Sequence, residues 1–353
     1  GSLGLISGKL TIEAPIVKNK VSCMISARRT YVDLLLNAFQ NKTNDAVYGD
    51  GNSATEKGYG TTGGYYFYDL NTQLYYNLSD KDRFYLSAYF GDDVFDLNFS
   101  GTGENALNAE EFNFGLGWGN KIVALRWHHF FNNKLFSNTS ISYSSYLFNI
   151  DQSQSSSGRF FSTEYMSGIR DFCGKIDFDF YLNKVHLVKF GLSSTYHNFF
   201  PSEMQTNTFG LMSSSIFSNE IKAYDHYIYI EDDFIVSQRL KLNLGLHFGV
   251  FSVQKKDYFS LQPRILGRYL INDNWSLKFS YSEMQQNIHL LTNSSIGLPT
   301  DIWVPATDFV PPEKSKQATF SINTNIADGF LELSLENYYK TMSNLITYQE
   351  GSS

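Results

Sequence analysis

The chain has 353 residues, with 28 Lys and Arg against 35 Asp and Glu for a formal charge of −7, and with 16% aromatic and 18% charged residues. The acidic balance excludes a nucleic-acid partner, which would require a basic face to neutralise phosphates. A mean hydropathy of −0.27, with no run near the ~20 apolar residues of a spanning helix, excludes a helical membrane protein but leaves room for a barrel of alternating strands.

Only 7 prolines occur and no linker interrupts the chain, so residues 1–353 read as one large β architecture. The 24 Tyr and 30 Phe, set against a charged fraction below the roughly 25% of soluble domains, imply broad aromatic surfaces. Cys23 and Cys173 lie far apart in strand-like segments and read as structural thiols, not a disulfide framework. Residues 1–8 lack a basic stretch followed by an apolar core, so the expectation is a chain whose leader has been removed or a piece of something longer.

From the N-terminus, a hairpin is expected over Gly8–Asp33 about the turn Lys18-Asn19-Lys20. Arg28 and Arg29 end its second strand, either as an anion contact or as a structural ion pair with a neighbouring strand. Tyr65-Tyr66-Phe67-Tyr68 and Tyr75-Tyr76 read as interfacial girdle residues, with a sugar-stacking platform as the alternative. Gly115, Gly117 and Gly119 lie within a strand pattern and lack phosphate-loop order. His128 and His129, adjacent on a strand, face opposite sides and cannot share one ion. Glu231, Asp232 and Asp233 lack the spacing of a calcium loop and read as a solvated strand end. The clearest alternation sets Leu240, Leu242, Leu244, Leu246, Phe248 and Val250 against Lys241, Asn243, Gly245, His247 and Gly249. It recurs with Trp275, Leu277 and Phe279 against Ser276, Lys278 and Ser280, and with Leu331, Leu333 and Leu335 against Glu332, Ser334 and Glu336.

Short turns at 18–20, 80–82, 132–134, 182–184, 237–239, 272–274 and 327–329 alternate with longer stretches at 34–64, 99–110, 151–163, 199–219, 254–259 and 285–315. The pattern predicts an all-β, antiparallel, up-and-down transmembrane β-barrel wall of about fourteen strands, with tight turns at one end and loops at the other. A seven-bladed propeller shares the ~50-residue period, but its strands are shorter than these. Catalysis has no candidate: no nucleophile elbow, phosphate loop or metal-ligand cluster is present, and no cofactor is expected. The stretch 285–315 is the best functional candidate, carrying His289, Asp301 and Trp303 among prolines that limit its freedom.

Several segments resemble the barrel of TonB-dependent outer-membrane receptors of the Bacteroidota type. Gly8–Ile16, a short turn, then Ser26-Ala27-Arg28-Arg29-Thr30-Tyr31-Val32-Asp33 resembles the family's hairpin ending in an Arg-Arg-Thr-Tyr signature, and Tyr229–Phe234 with Leu242–Leu246 its acidic strand end and following strand, with His247 where the family often has Arg. The most specific stretch is Gln262-Pro263-Arg264, then Tyr281–Leu291, then Leu298-Pro299-Thr300-Asp301-Ile302-Trp303-Val304-Pro305; Pro312-Glu313 stands where the family usually has Pro-Gln. This last motif recurs in the family whatever the cargo, which sets a structural reading beside the functional one.

The resemblance implies about fourteen of the family's twenty-two strands, with no counterpart here to the plug, the TonB-contacting segment or the closing C-terminal strands. It implies a cell outer membrane location and a non-enzymatic importer that binds a scarce solute and passes it inward on TonB-coupled energy. The expected solute is an iron chelate, a peptide or an oligosaccharide, and the contact candidates are Arg28, Arg29, His289, Asp301 and Trp303. Expected partners are the TonB complex through the plug, outer-membrane lipid and a surface lipoprotein. The alternatives are a passive porin or adhesin-like barrel and, further off, a secreted glycan-binding propeller.

Overall fold

The computed structural model describes residues 1–35, 59–101, 110–156, 159–208, 213–218, 220–291, 302–326 and 330–347, with only the backbone given for Tyr59, 202–208 and 213–218. Eighteen strands follow one another: β1 (Ser2–Leu3), β2 (Ser7–Val17), β3 (Val21–Thr30), β4 (Tyr59–Asn77), β5 (Asp82–Gly101), β6 (Glu110–Asn132), β7 (Leu135–Ser156), β8 (Arg159–Tyr181), β9 (His186–Thr208), β10 (Ser213–Ser218), β11 (Ile221–Ile235), β12 (Leu240–Val253), β13 (Lys256–Leu270), β14 (Trp275–Gln286), β15 (Ile288–Leu291), β16 (Ile302–Pro305), β17 (Glu313–Ile326) and β18 (Leu331–Ser343). Sixteen form one sheet in chain order; β10 folds back on β9, and β15 and β16 leave the path as a separate hairpin. Without β1 and β10, fourteen strands make the up-and-down wall, as the alternation predicts, and no propeller blade is present among the described residues.

The turns at 18–20, 80–82, 132–134, 182–184, 237–239 and 272–274 all fall at one end of this meander. Positions 327–329 lie outside the described residues, but the pairing of Ile326 with Leu331 puts that connection at the same end. At the opposite end the expected stretch 254–259 is instead a two-residue turn between Val253 and Lys256, with Gln254 at φ 53°. The other expected loops are also shorter than the turn residues suggest. Strands β6, β8 and β9 each run 23 residues; β7 and β8 take up 151–156 and 159–163, β9 runs to Thr208 within 199–219, and 99–110 is entered only at its two ends. About 9–11 residues cross the hydrocarbon, so these strands project well past it. Outside lipid neither face must be apolar, and pairs such as Asn98 with Asn113 and Asn113 with Ser153 form a ladder that hydrophobic periodicity does not reveal.

Cross-strand register carries each face from strand to strand. Leu242 pairs with Gly267, which pairs with Phe279, which pairs with Phe320; Leu277 pairs with Ile322, and Ile322 with Leu335. On the other face Lys241, Arg268, Lys278, Ser321 and Glu336 fall in one row. The first face is a greasy stripe left open, with Leu244, Phe248, Phe279 and Leu335 all exposed. The second carries the β15–β16 hairpin. There Phe199, Ala223, Phe251, Val253 and Ala306 form a buried cluster, joined by Ile169, Ile221, Tyr258, Ile288 and Trp303. The hairpin leaves the wall near Pro263, which has no N–H to donate, and the β13–β14 ladder starts only at Arg264 with Ser282. Beyond Ser282, β14 pairs with β17 alone.

Candidate functional site

Asn287 connects β14 to the hairpin and is 4% exposed. Its Nδ2 donates to Asp225 Oδ2 at 3.1 Å and to the Tyr227 hydroxyl at 2.9 Å, both on the inner side of β11. Its Oδ1 accepts from Gln285 Nε2 at 2.9 Å, and its backbone carbonyl accepts from Ala306 N at 2.8 Å. Every polar group of this side chain is thereby satisfied, as a buried amide requires. The same end of the hairpin is held again by Tyr258, whose hydroxyl donates to the Thr307 carbonyl at 2.6 Å. Ile288 pairs with Pro305 and Leu290 with Trp303, so Ile288 and Trp303 share the hairpin side that packs on the wall.

Around the hairpin the same face of the sheet has two regions. Towards the loop end it is aromatic: Tyr65 stacks on Trp118 at 6.5 Å and donates to Asp93 at 2.6 Å, and Phe95, Leu116 and Phe148 continue the surface across β5, β6 and β7. Towards the short turns it is charged and internally paired. Lys189 lies 3.0 Å from Asp233, Lys175 3.0 Å from Asp177, and Asn243 donates to both Glu231 and Asp233. Tyr229 donates to Asp177 at 2.6 Å, and its ring stacks on His247 at 4.9 Å.

The five residues singled out in the sequence do not converge. Arg28 is on the hairpin face but is engaged by Asp69 at 2.6 Å and lies over the Phe67 ring at 4.7 Å, the neighbouring-strand ion pair of the two readings. Arg29, one residue on, points to the opposite face, where it meets Asp33 at 2.9 Å and the Tyr66 ring at 4.8 Å. Both are half exposed. Adjacent strand residues face apart, so the pair cannot hold one anion. His289 is 1% exposed, on the hairpin side opposite Trp303, 3.5 Å from Glu313. Burial holds its imidazole below the usual histidine range, with Glu313 opposing. Trp303 is an anchor in the hairpin cluster, and Asp301 lies outside the described residues.

Other expectations resolve in the same way. The aromatic quartet is split: Tyr65 and Phe67 face the hairpin side and Tyr66 and Tyr68 the other, so the four rings cannot form one girdle on a single face. His128 and His129 diverge, to Asn138 and Asp82 respectively. Cys23 and Cys173 are both free, and among the described residues no group of three metal-ligating side chains converges. Periodicity and motif alone do not single out Asn287, Asp225, Tyr227 or the Tyr65–Trp118 stack. The one available signal for them was the run Gln285-Gln286-Asn287 beside an irregular motif.

Residues 30–353 match the family described as TonB dependent receptor-like, beta-barrel. This chain belongs to that family. Curated proteins offer no match by sequence. Among solved structures, the ferripyoverdine receptor FpvA of Pseudomonas aeruginosa superposes with a TM-score of 0.61 at 14% identity, over 95% of this chain and 46% of that one. BauA, the ferric preacinetobactin receptor of Acinetobacter baumannii, gives 0.56 at 12% identity over 94% and 51%, and the RagAB peptide transporter 0.59 at 9% over 95% and 44%. These likenesses are of fold, and the chain spans about half the length of each structure. As a barrel of this outer-membrane receptor family, and not an enzyme, the protein presents its greasy face to lipid, its hairpin face to the lumen, its short turns to the periplasm and its projecting strands to the exterior.

Proposed function

We propose that the chain forms the greater part of the wall of a TonB-coupled importer, and that the solute is received on the exterior half of the lumen face. The observation that carries this reading is the aromatic wall around Tyr65 and Trp118 beside a hairpin folded into the lumen and latched at Asn287. An aromatic surface beside a pinned internal segment suits a receptor that binds before it transports better than it suits an open passive pore. The aromatic faces suit a solute with flat or apolar surfaces, such as an iron chelate, a peptide or a sugar chain. FpvA and BauA are receptors for iron chelates and RagAB is a transporter of peptides, so the family's architecture serves more than one of these classes. TonB would act through a plug seated against the charged lower wall, and a surface lipoprotein could cover the projecting strands. His289 and Trp303 serve to position the hairpin, and Arg28 to shape the wall.

The test is solute uptake by the full-length parent in a strain lacking that receptor, with TonB present and absent. Uptake that needs TonB and falls when Trp118→Ala is introduced is the expected result. Uptake of equal rate without TonB would establish the passive pore instead.

A further inference from the structure

On the lipid side of β7, β8, β9 and β11, Tyr143, Phe172, Tyr196 and Tyr224 pair in sequence into one aromatic row. Tyr143, Phe172 and Tyr224 are 41%, 54% and 48% exposed, and the Tyr196 and Tyr224 rings lie 5.3 Å apart. Amphipathic rings in such a band mark the boundary between hydrocarbon and headgroups. Two residues further towards the exterior, the same strands carry Arg170, Asn198 and Lys222, again in register, with Lys121 joined to the row through Ser145. Arg170, Lys222 and Lys121 are exposed, and none has a carboxylate partner among the described residues. The lumen face differs, since there Arg28, Lys175 and Lys189 are each paired. The carboxylate one row further out, Asp92, is occupied by the Tyr68 hydroxyl.

Below the aromatic row, towards mid-membrane, lies an apolar groove of about 520 Å³ on β8, β9, β11 and β12, lined by Phe178, Phe190, Leu192, Ile228, Leu246 and Phe248. From Lys222 to Ile228 is six residues, about 20 Å at ~3.3 Å each. On a strand tilted by about 45° this is ~14 Å of depth, which takes the groove from beneath the headgroups almost to the bilayer centre. Unpaired cations, an aromatic band and an apolar trough thus follow one another along β9 and β11 in the order in which a lipid presents phosphate, backbone and acyl chain.

We propose that this strip is a binding site for a phosphorylated glycolipid of the exterior leaflet, with its phosphate between Arg170 and Lys222 and an acyl chain in the groove. Arg170 is held for this role by the Phe200 ring, 4.6 Å from its guanidinium carbon, and Lys222 stands about 10 Å away across β9, so both long side chains can converge on one phosphate. The site follows from the membrane-facing wall alone and does not depend on which solute is carried.

The intact receptor, extracted from its own outer membrane in mild detergent, would be compared with Arg170→Ser/Lys222→Ser, Leu192→Trp and Lys255→Ser by native mass spectrometry and identification of the bound lipid. Lys255 is an exposed cation in the turn after β12, away from the strip. The wild type and Lys255→Ser should retain the glycolipid. The double variant should bind it roughly thirtyfold more weakly, as expected for the loss of two cations at a lipid surface. Leu192→Trp, which fills the groove but keeps the charges, should also lower retention. Unchanged heat-modified migration would show that each barrel has assembled. Glycolipid retained in full by the double variant, or phospholipid found in its place on the wild type, would overturn the assignment.

Discussion

Asn287 joins β11 to the end of β14 through one amide, and its replacement is the sharpest residue-scale test of the lumen hairpin. Asn287→Ala would leave Asp225 and Tyr227 without their shared donor, a loss of about 1–3 kcal/mol for buried groups. Hydrogen exchange in 288–291 and 302–305 should accelerate accordingly, while exchange in β12 should not. Gly249 supports the same latch from below. A Cβ there would lie 2.4 Å from a Tyr227 ring carbon and 2.7 Å from Ser260 Oγ, so the ring must swing away from Asn287. Gly249→Ala is expected to loosen the hairpin in the same assay, and Gly174→Ala, with nothing within 4 Å of its Cβ, to leave it unchanged.

At the scale of elements, β12 tests the assignment of faces and β15 the role of pH. Placing Arg at Leu244, on the lipid side, should cost about 2–4 kcal/mol near mid-membrane, whereas Arg at Asn243, beside Glu231 and Asp233, should cost far less. Equal losses in a lipid refolding titration would contradict the two-faced wall. In the hairpin, burial depresses the basicity of His289. As pH falls through the ordinary histidine range, near 6.5, the released hairpin takes up a proton that the packed imidazole resists. Hairpin stability should therefore be undiminished above that range and decline below it. Glu313→Gln removes the one opposing charge and should deepen the decline and carry it to lower pH without moving its onset, read as exchange protection over 288–291 against pH.

At the scale of the molecule, the described sheet has two edges. Strand β18 pairs only with β17, and β2 only with β3 and the two-residue β1. All thirteen residues of β18 are exposed. In hydrocarbon each unpaired backbone group costs several kcal/mol, and closure of this wall on itself would alter strand tilt and diameter. Residues 1–353 expressed alone are expected not to insert as a heat-modifiable barrel, in contrast to the full-length parent. Insertion with TonB-dependent uptake by the 353-residue segment would refute this and require a plug within it.

Period-two alternation is a local property of a pleated strand, so Leu240–Val250, Trp275–Phe279 and Leu331–Leu335 were legible from side-chain order alone, and with them the two-faced wall, the end that carries the turns and the count of fourteen. The split of Arg28 from Arg29 was equally local: the rule that separates His128 from His129 applies to the arginines without change. The projecting strands were not legible, because beyond the lipid neither face is obliged to be apolar and the pattern fades while the backbone ladder continues. Nor was the latch, since Asn287 meets Asp225 and Tyr227 across 62 and 60 residues of chain, a contact set by how far the strands between them run and where Pro263 interrupts the ladder. Tertiary structure alone turned a motif-bearing loop into a hairpin buried against the wall, because only strand register decides which distant polar groups a buried amide can reach.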